Sequence, residues 1–229
     1  MRFMILATLL LAQTPMDSTG HWEGLIQVPD SQIAIEIDLA RDGNGSLVGA
    51  FAQPGENLRG LPLAGFSTEG NTLRFQIKGK AGDRVFAGTL SADGKELKGD
   101  FTQNGYQMPF FLSRTGESRL EPAARIAAVA KEFEGSWSAT LNVRGSDIRL
   151  VLTMANQVDG SATANIVNLE DGLEIPITAM TQQATNLMFE IKAIGGSYAG
   201  AINRDGTELA GTFSERGKTA PLTFRRASK

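Results

Sequence analysis

Cysteine is absent from the 229-residue chain, and histidine occurs once, as His21. Without thiols there can be no disulfide, no thiolate nucleophile and no Cys-based zinc site. With one imidazole, most acid–base and metal chemistry built on histidine is also excluded. Positive charge is not in excess: 22 Lys and Arg face 25 Asp and Glu, for a net charge of -3. That balance lacks the basic footprint that phosphate backbones demand, so nucleic acid is not an expected partner. Aromatic residues make up only 7%, and neither a phosphate-cradling loop nor a dinucleotide fingerprint occurs. No cofactor and no metal are expected. What is plentiful is glycine, 26 residues, beside a hydrophobic share of 41% that suffices for a core.

Long apolar runs are scarce as well. One stands out, Phe3 to Ala12 (FMILATLLLA), behind the single positive charge of Arg2. A membrane span needs about 20 apolar residues, so a run half that long reads as the core of an export signal. Residues 1–12 are therefore expected to be a cleaved signal peptide and 13–19 a polar spacer, with no membrane span once the signal is removed. An exported chain without cysteine fits a bacterial periplasm or exterior.

The remainder repeats itself. Trp22, Ile33, Ile35, Ile37 and Leu39 match Trp137, Ile148, Leu150, Leu152 and Met154 at a constant offset of 115. Leu61-Pro62-Leu63 and Leu73, Phe75 and Ile77 match Ile175-Pro176-Ile177 and Leu187, Phe189 and Ile191 at 114. Phe86, Gly88, Asp93, Gly94, Leu97, Gly99, Phe101 and Arg114 match Tyr198, Gly200, Asp205, Gly206, Leu209, Gly211, Phe213 and Arg226 at 112. Each change of offset falls between alternating runs, where a surface turn tolerates deletion. Two homologous units follow, 20–115 and 133–229, separated by a linker at 116–132.

Within each unit apolar residues alternate with period two, as in IAIEIDL (33–39) and LKGDF (97–101), the pattern of a strand with one buried face. Asp93-Gly94, Asn104-Gly105 and Asp205-Gly206 supply hairpin turns. Eight short strands with brief connections predict an antiparallel meander, and closure on itself removes its exposed edges. The expected architecture is all-β, two tandem eight-stranded antiparallel up-and-down barrels joined by one short α-helix. If the last strand pairs with the first, parity puts Trp22 beside Arg114 and Trp137 beside Arg226. Each indole would then plug a barrel end beneath a guanidinium.

The pairing of Gly20-x-Trp22 and Gly135-x-Trp137 with a final Arg resembles the calycin superfamily of lipocalin-like and avidin-like barrels. A second resemblance is carried by Trp22, Gly24 and Leu25, then Asp93, Gly94, Leu97, Gly99, Phe101, Gln103, Gly105 and Arg114. That pattern is similar to the β-domain that precedes the catalytic domain of some secreted bacterial α/β-hydrolases. The resemblances imply a small barrel with a cup, or an accessory domain of a hydrolase system.

Catalytic candidates are poor. His21 leads into a strand, and Gly195-Gly196-Ser197-Tyr198-Ala199 enters a strand where a nucleophile elbow must enter a helix. Parity turns Glu36 and Asp38 outward as solvated charges, and Asp42, Asn44 and Ser46 read as a hairpin turn. The glycines of Leu47-Gly49-Phe51, Leu97-Gly99-Phe101 and Leu209-Gly211-Phe213 make room for neighbouring rings. The wall Leu47-Gly49-Phe51 becomes Ala162-Ala164-Ile166 in the second unit, which therefore has less bulk. Leu150, Leu152, Ala162, Ala164, Ile166, Phe189, Tyr198 and Phe213 are the expected lining of an apolar cup there.

Outside the barrels, Leu25 and Phe111 face outward where their counterparts are Thr140 and Thr223. The linker EPAARIAAVAKEF predicts a helix with Ile126, Val129 and Phe133 on one face. These five residues form an expected docking patch in which the helix covers Leu25 or Phe111. The sequence thus reads as a secreted non-catalytic binding or interaction module. Its expected partner is a small hydrophobic molecule in the second barrel or an extracytoplasmic protein, the alternative being an accessory domain of a secreted hydrolase.

Overall fold

Alternating apolar positions make strands with one buried face, and the chain forms them almost throughout. The computed structural model describes residues 17–80, 82–122, 125–143 and 145–227. The proposed export segment 1–12 and spacer positions 13–16 lie outside the described residues.

The first unit comprises β1 (Gly20–Val28), β2 (Ser31–Arg41), β3 (Leu47–Gln53), β4 (Leu58–Glu69), β5 (Thr72–Ile77), β6 (Val85–Leu90), β7 (Glu96–Gln103) and β8 (Tyr106–Gly116). Each strand pairs antiparallel with the next, and β8 returns to β1, giving a closed eight-stranded barrel. Its core centres on Phe86, whose ring lies 4.5 Å from Phe101, 5.1 Å from Phe75 and 5.2 Å from Phe110.

The second unit comprises β9 (Ile126–Ala127), β10 (Gly135–Val143), β11 (Ser146–Asn156), β12 (Ser161–Asn168), β13 (Glu174–Pro176), β14 (Ala179–Gln183), β15 (Asn186–Ile191), β16 (Gly196–Ile202), β17 (Glu208–Glu215) and β18 (Lys218–Arg226). Its sheet runs β13-β12-β11-β10-β18-β17-β16-β15-β14, with β9 added on β12, rather than as eight unbroken strands. The interruption has a counterpart in the first barrel. There β4 pairs with β3 through Pro62, then with β5 from Leu63 onward, through a bulge. Here the same change of partner breaks the strand, and the Ile177 amide donates to Ala164 O (3.0 Å) while the Thr178 amide donates to Glu190 O (2.9 Å). Those two bonds carry the wall across the break, so the second barrel is nearly closed.

The closing seams differ, and one atom explains why. In the first barrel β1 and β8 stay paired from Trp22↔Arg114 to Ile26↔Phe110. A Cβ at Gly24 would stand 1.9 Å from Phe111 O, so only glycine permits that approach. The matching residue in the second unit is Ala139. Its β10–β18 pairing is confined to Trp137↔Arg226 and Ser138↔Arg225, and the seam splays beyond.

Both barrels are stoppered alike. The Trp22 indole donates to Ser18 O (3.0 Å) and the Trp137 indole to Phe133 O (2.9 Å), holding the incoming chain across the barrel floor. Arg114 lies 5.8 Å from the Trp22 ring centroid and Arg226 lies 4.2 Å from that of Trp137. Arg226 also donates to the carbonyls of Gly206 and Glu134, both at 2.8 Å.

The linker forms no helix among its described residues. Ile126 and Ala127 instead pair with Ala162 and Ser161, whose backbone edge β13 leaves uncovered. Edge pairing and burial outweigh the helical propensity of the alanines. Asn156 completes the fastening, accepting from the Val129 amide (2.9 Å) and donating to Val129 O (2.8 Å). No helix among the described residues is long and apolar enough to cross a membrane.

The meander fixes which loops share an end, and the barrels meet by the ends opposite their tryptophans. Gly79 bridges Leu173, the Lys80 amide donates to Gly172 O (3.1 Å), and Lys78 Nζ lies 2.8 Å from Glu174 Oε1. Leu173, Ile175 and Ala193 pack onto the core of the first barrel. The mouths are thus apposed.

Two substitutions test the seam. Gly24→Ala should lower the unfolding free energy by about 1–3 kcal/mol, the usual cost of forced overpacking, and should speed amide exchange in β8 from Phe110 to Ser113. Ala139→Gly should add slowly exchanging amides between β10 and β18, as read by hydrogen exchange. An unchanged exchange pattern in both variants would show that the Cβ does not set the seam.

Candidate functional site

The residues expected to line a cup in the second barrel all lie in or against its buried apolar cluster. Leu152, Ala162, Ile166, Phe189 and Tyr198 are buried in one cluster, with Leu150, Ala164 and Phe213 packed against it. Ile126, Val129 and Phe133 join the same cluster. The bulk missing from the Ala162-Ala164 wall is therefore supplied by the linker: Ile126 pairs directly with Ala162. Tyr198 stacks on Phe189 at 5.0 Å, and its hydroxyl donates towards Leu209 O (2.9 Å) and Leu222 O (3.2 Å). Glycine makes room for that hydroxyl, since Cβ atoms at Gly200 and Gly211 would lie 2.4 and 2.7 Å from it. Burial pushes the Tyr198 phenol well above its ordinary range.

The docking patch splits in the structure. Leu25 and Phe111 are cross-strand partners on the outside of the first barrel, with Phe111 46% exposed. Ile126, Val129 and Phe133 are buried in the second barrel and do not cover them. Among the described residues, the helix expected to bridge the two sets is not formed.

A groove lies just above that outer seam. At the mouth of the first barrel, the part not covered by the second opens into a concavity of about 560 Å³, lined by Gln27, Val28, Pro29, Gln103, Asn104, Tyr106, Gln107, Met108 and Pro109. Two hairpin tips build it, β1–β2 and β7–β8. Asn104-Gly105 at φ 51 and 82 makes the second tip tight. Gln27 braces the first tip, donating to Val28 O (3.0 Å) and Ser31 O (3.1 Å) and accepting from Gln32 (3.0 Å). Tyr106 is 75% exposed, and Met108 packs on the core beneath.

The β7–β8 tip is pinned from behind by a buried carboxylate. Asp83 Oδ1 accepts the amides of Arg84 (3.0 Å) and Asn104 (2.8 Å). Arg84 in turn donates to Asp171 O (2.9 Å) and lies 3.1 Å from Asp171 Oδ2 in the second barrel. Groove and barrel junction thus share one buried pair. Neither residue carried a sequence signal, because Asp83 and Arg84 stand in a loop between strands and their partners are distant in the chain.

Two acidic sites are structural. His21 is buried on the outer face, its Nδ1 2.9 Å from Asp38 Oδ1 and its Nε2 3.1 Å from Glu23 Oε1. Asp38 Oδ1 also accepts the Arg119 amide at 2.7 Å, so this carboxylate anchors the start of the linker rather than standing as a solvated charge. Asp42 Oδ1 is taken up by the amides of Asn44 and Ser46, both at 2.9 Å, within its own turn. A second concavity of about 450 Å³ touches Asp17, Thr19, Arg41 and Glu117. Burial raises Asp17, but hydrogen bonds from Thr19 and the charge of Arg114 outweigh it and hold the carboxyl below its usual range.

Two measurements check these assignments. Asp83→Ala should speed exchange of the Asn104 amide by about 10–100-fold, the loss of a hydrogen bond to a charged group, whereas Asp83→Asn keeps an acceptor and most of the protection. For Tyr198, the folded chain holds the phenolic proton to higher pH than the unfolded chain does. Its contribution to stability is present below a pH of about 10 and is lost as pH rises above it, because only the unfolded state releases the proton. The stability difference between the parent and Tyr198→Phe, measured by urea unfolding, should therefore shrink on going from about pH 9 to 11.

No protein-family model matches the chain, and no curated protein matches it. Among solved structures it is similar to an outer-membrane-protein candidate from Bacteroides fragilis, at 10% identity and a TM-score of 0.29, over 92% of this chain and 98% of that one. It is also similar to a protein of unknown function from the DUF3598 family of Nostoc punctiforme, at 11% identity and a TM-score of 0.24, over 91% and 96% of the two chains.

Proposed function

We propose that this protein is an exported bacterial binding module without catalytic activity, whose barrels are scaffolds and whose recognition surface is the rim groove of the first barrel. The carrying observation is the asymmetry between two homologous rims. Gln103, Asn104, Tyr106, Gln107 and Met108 line the groove, and their counterparts are Glu215, Arg216, Lys218, Thr219 and Ala220. Arg216 is committed to the barrel junction, donating to Glu56 O. The Glu215–Ala220 segment is charged and touches the partner barrel through Arg216; the Gln103–Met108 segment is uncharged and carries the exposed Tyr106. Export follows from the apolar run at Phe3 to Ala12 behind Arg2, and the exterior is where an exposed apolar rim would find its target.

A second reading places a small apolar guest inside the second barrel. It is favoured by the seam beside Ala139, where strand pairing between β10 and β18 stops after Ser138 and a guest could enter.

Co-sedimentation of the mature chain with isolated bacterial cell envelopes tests the proposal. The parent should be retained and the Tyr106→Ala/Gln107→Ala variant released, with at least a tenfold loss of apparent affinity. Equal retention of both would overturn the groove as the binding surface. A lipid-sized mass carried through native mass spectrometry by both proteins would move the function into the second barrel.

A further inference from the structure

We infer that the groove takes a neutral oligosaccharide chain; this rests on the reading of the groove as the binding surface and specifies its ligand. None of the nine lining side chains is charged. Asp83 behind the tip is buried and spent on its backbone, so among the lining residues an ionic ligand would lose water without gaining a counter-charge. What the lining does offer is amides. Among the described residues, no hydrogen bond engages the side chains of Gln103, Asn104 or Gln107, and each presents a carbonyl acceptor beside a two-proton donor. Hydroxyl groups both donate and accept, so a row of them complements such amides without charge.

The apolar element has matching geometry. Tyr106 presents a flat, exposed ring with a polar tip and lines the groove together with Val28, Pro29 and Met108. A pyranose ring has an apolar face of C–H groups edged by hydroxyls, and that face lies on an aromatic platform while the edge reaches the amides. The volume lies within the roughly 300–1,000 Å³ usual for small-ligand sites. Extended peptides are disfavoured by the topology: β1 and β8 pair with each other along the groove wall, so no free strand edge is available for main-chain addition. Pinning of the hairpin by Asp83 and of its neighbour by Gln27 sets the rim before a ligand arrives, which limits the ordering cost of binding.

The test is a titration of the ¹⁵N-labelled mature chain with neutral hexasaccharides of α-1,4-glucose, β-1,4-glucose, β-1,4-mannose and β-1,4-xylose, alongside an oligogalacturonate and a decaproline peptide. At least one neutral sugar should shift the amides of Gln27 to Val28 and Gln103 to Met108 at lower concentration than either control. Tyr106→Ala should weaken that binding at least tenfold, and Gln107→Ala should weaken it while leaving the unfolding midpoint unchanged. Shifts from decaproline or oligogalacturonate alone, shifts mapping elsewhere, or no shift with any neutral sugar would overturn the inference. If the sugars fail but envelope retention still depends on Tyr106, the ligand class is wrong and the groove stands; if retention ignores Tyr106 as well, both fall.

Discussion

Closure of the first strand on the last is the constraint from which the rest of this molecule follows. It requires two backbones to approach so closely that one position cannot carry a Cβ: Gly24 meets it, and the first barrel zips from Trp22 to Ile26. Ala139 occupies the same place in the second unit, and there pairing stops after Ser138. The Ala139 methyl group thus stands at the point where the second seam stops pairing. A buried side-chain atom is normally a gain in packing, but where two strands must cross in contact it is a steric wedge.

The apposed mouths follow from this closure. A barrel stoppered at its tryptophan end has one open rim left, and each rim carries apolar residues that would otherwise face water. Leu173, Ile175 and Ala193 cover part of the first rim, while Lys78, Lys80 and Arg84 hold the edge of the junction through backbone and charge contacts. Repeat-equivalent segments meet across the junction: the stretch around Lys78 touches Gly172 to Glu174, and the stretch around Lys192 touches β4. The contact is nearly two-fold, as expected when two copies of one unit bury the same patch on each other. The groove lies in the β1–β7–β8 sector of the first rim, away from these contacts.

Both interiors are lined by close-packed apolar clusters, whereas the groove lies at the surface. The first barrel is closed around a cluster of phenylalanines, and the second is completed by its own linker. Divergence between the repeats is then informative where equivalent positions are exposed or partly exposed in both. Tyr106 against Lys218 and Gln107 against Thr219 are such differences, and so is the Leu25–Phe111 pair against Thr140 and Thr223. All of these lie on one side of one barrel.

Much of the fold was legible in the chain because strands announce themselves by alternation and because a repeated pattern is read twice. The strands of the first unit, their turns at Asp93-Gly94 and Asn104-Gly105, and the pairing of each Trp with a terminal Arg all follow from period and parity, which are local properties. The linker misled the same method. Its spacing of Ile126, Val129 and Phe133 suits a helix, yet those residues are buried in the second barrel from a short strand at Ile126–Ala127 and a turn ending at Phe133, since propensity is worth tenths of a kcal/mol per residue, whereas burying one such side chain is worth roughly 1.5–3 kcal/mol. The groove was illegible for a different reason: Gln27, Gln103 and Tyr106 come from two hairpins far apart in sequence, and the carboxylate that pins the second of them, Asp83, comes from a third segment. Sequence alone determined which residues face inward and where the chain turns, because those depend on neighbours one or two positions away. Tertiary structure alone decided which seam closes, what fills the second barrel and where an open rim remains, because each is set by contacts between segments that only the completed barrels bring within reach.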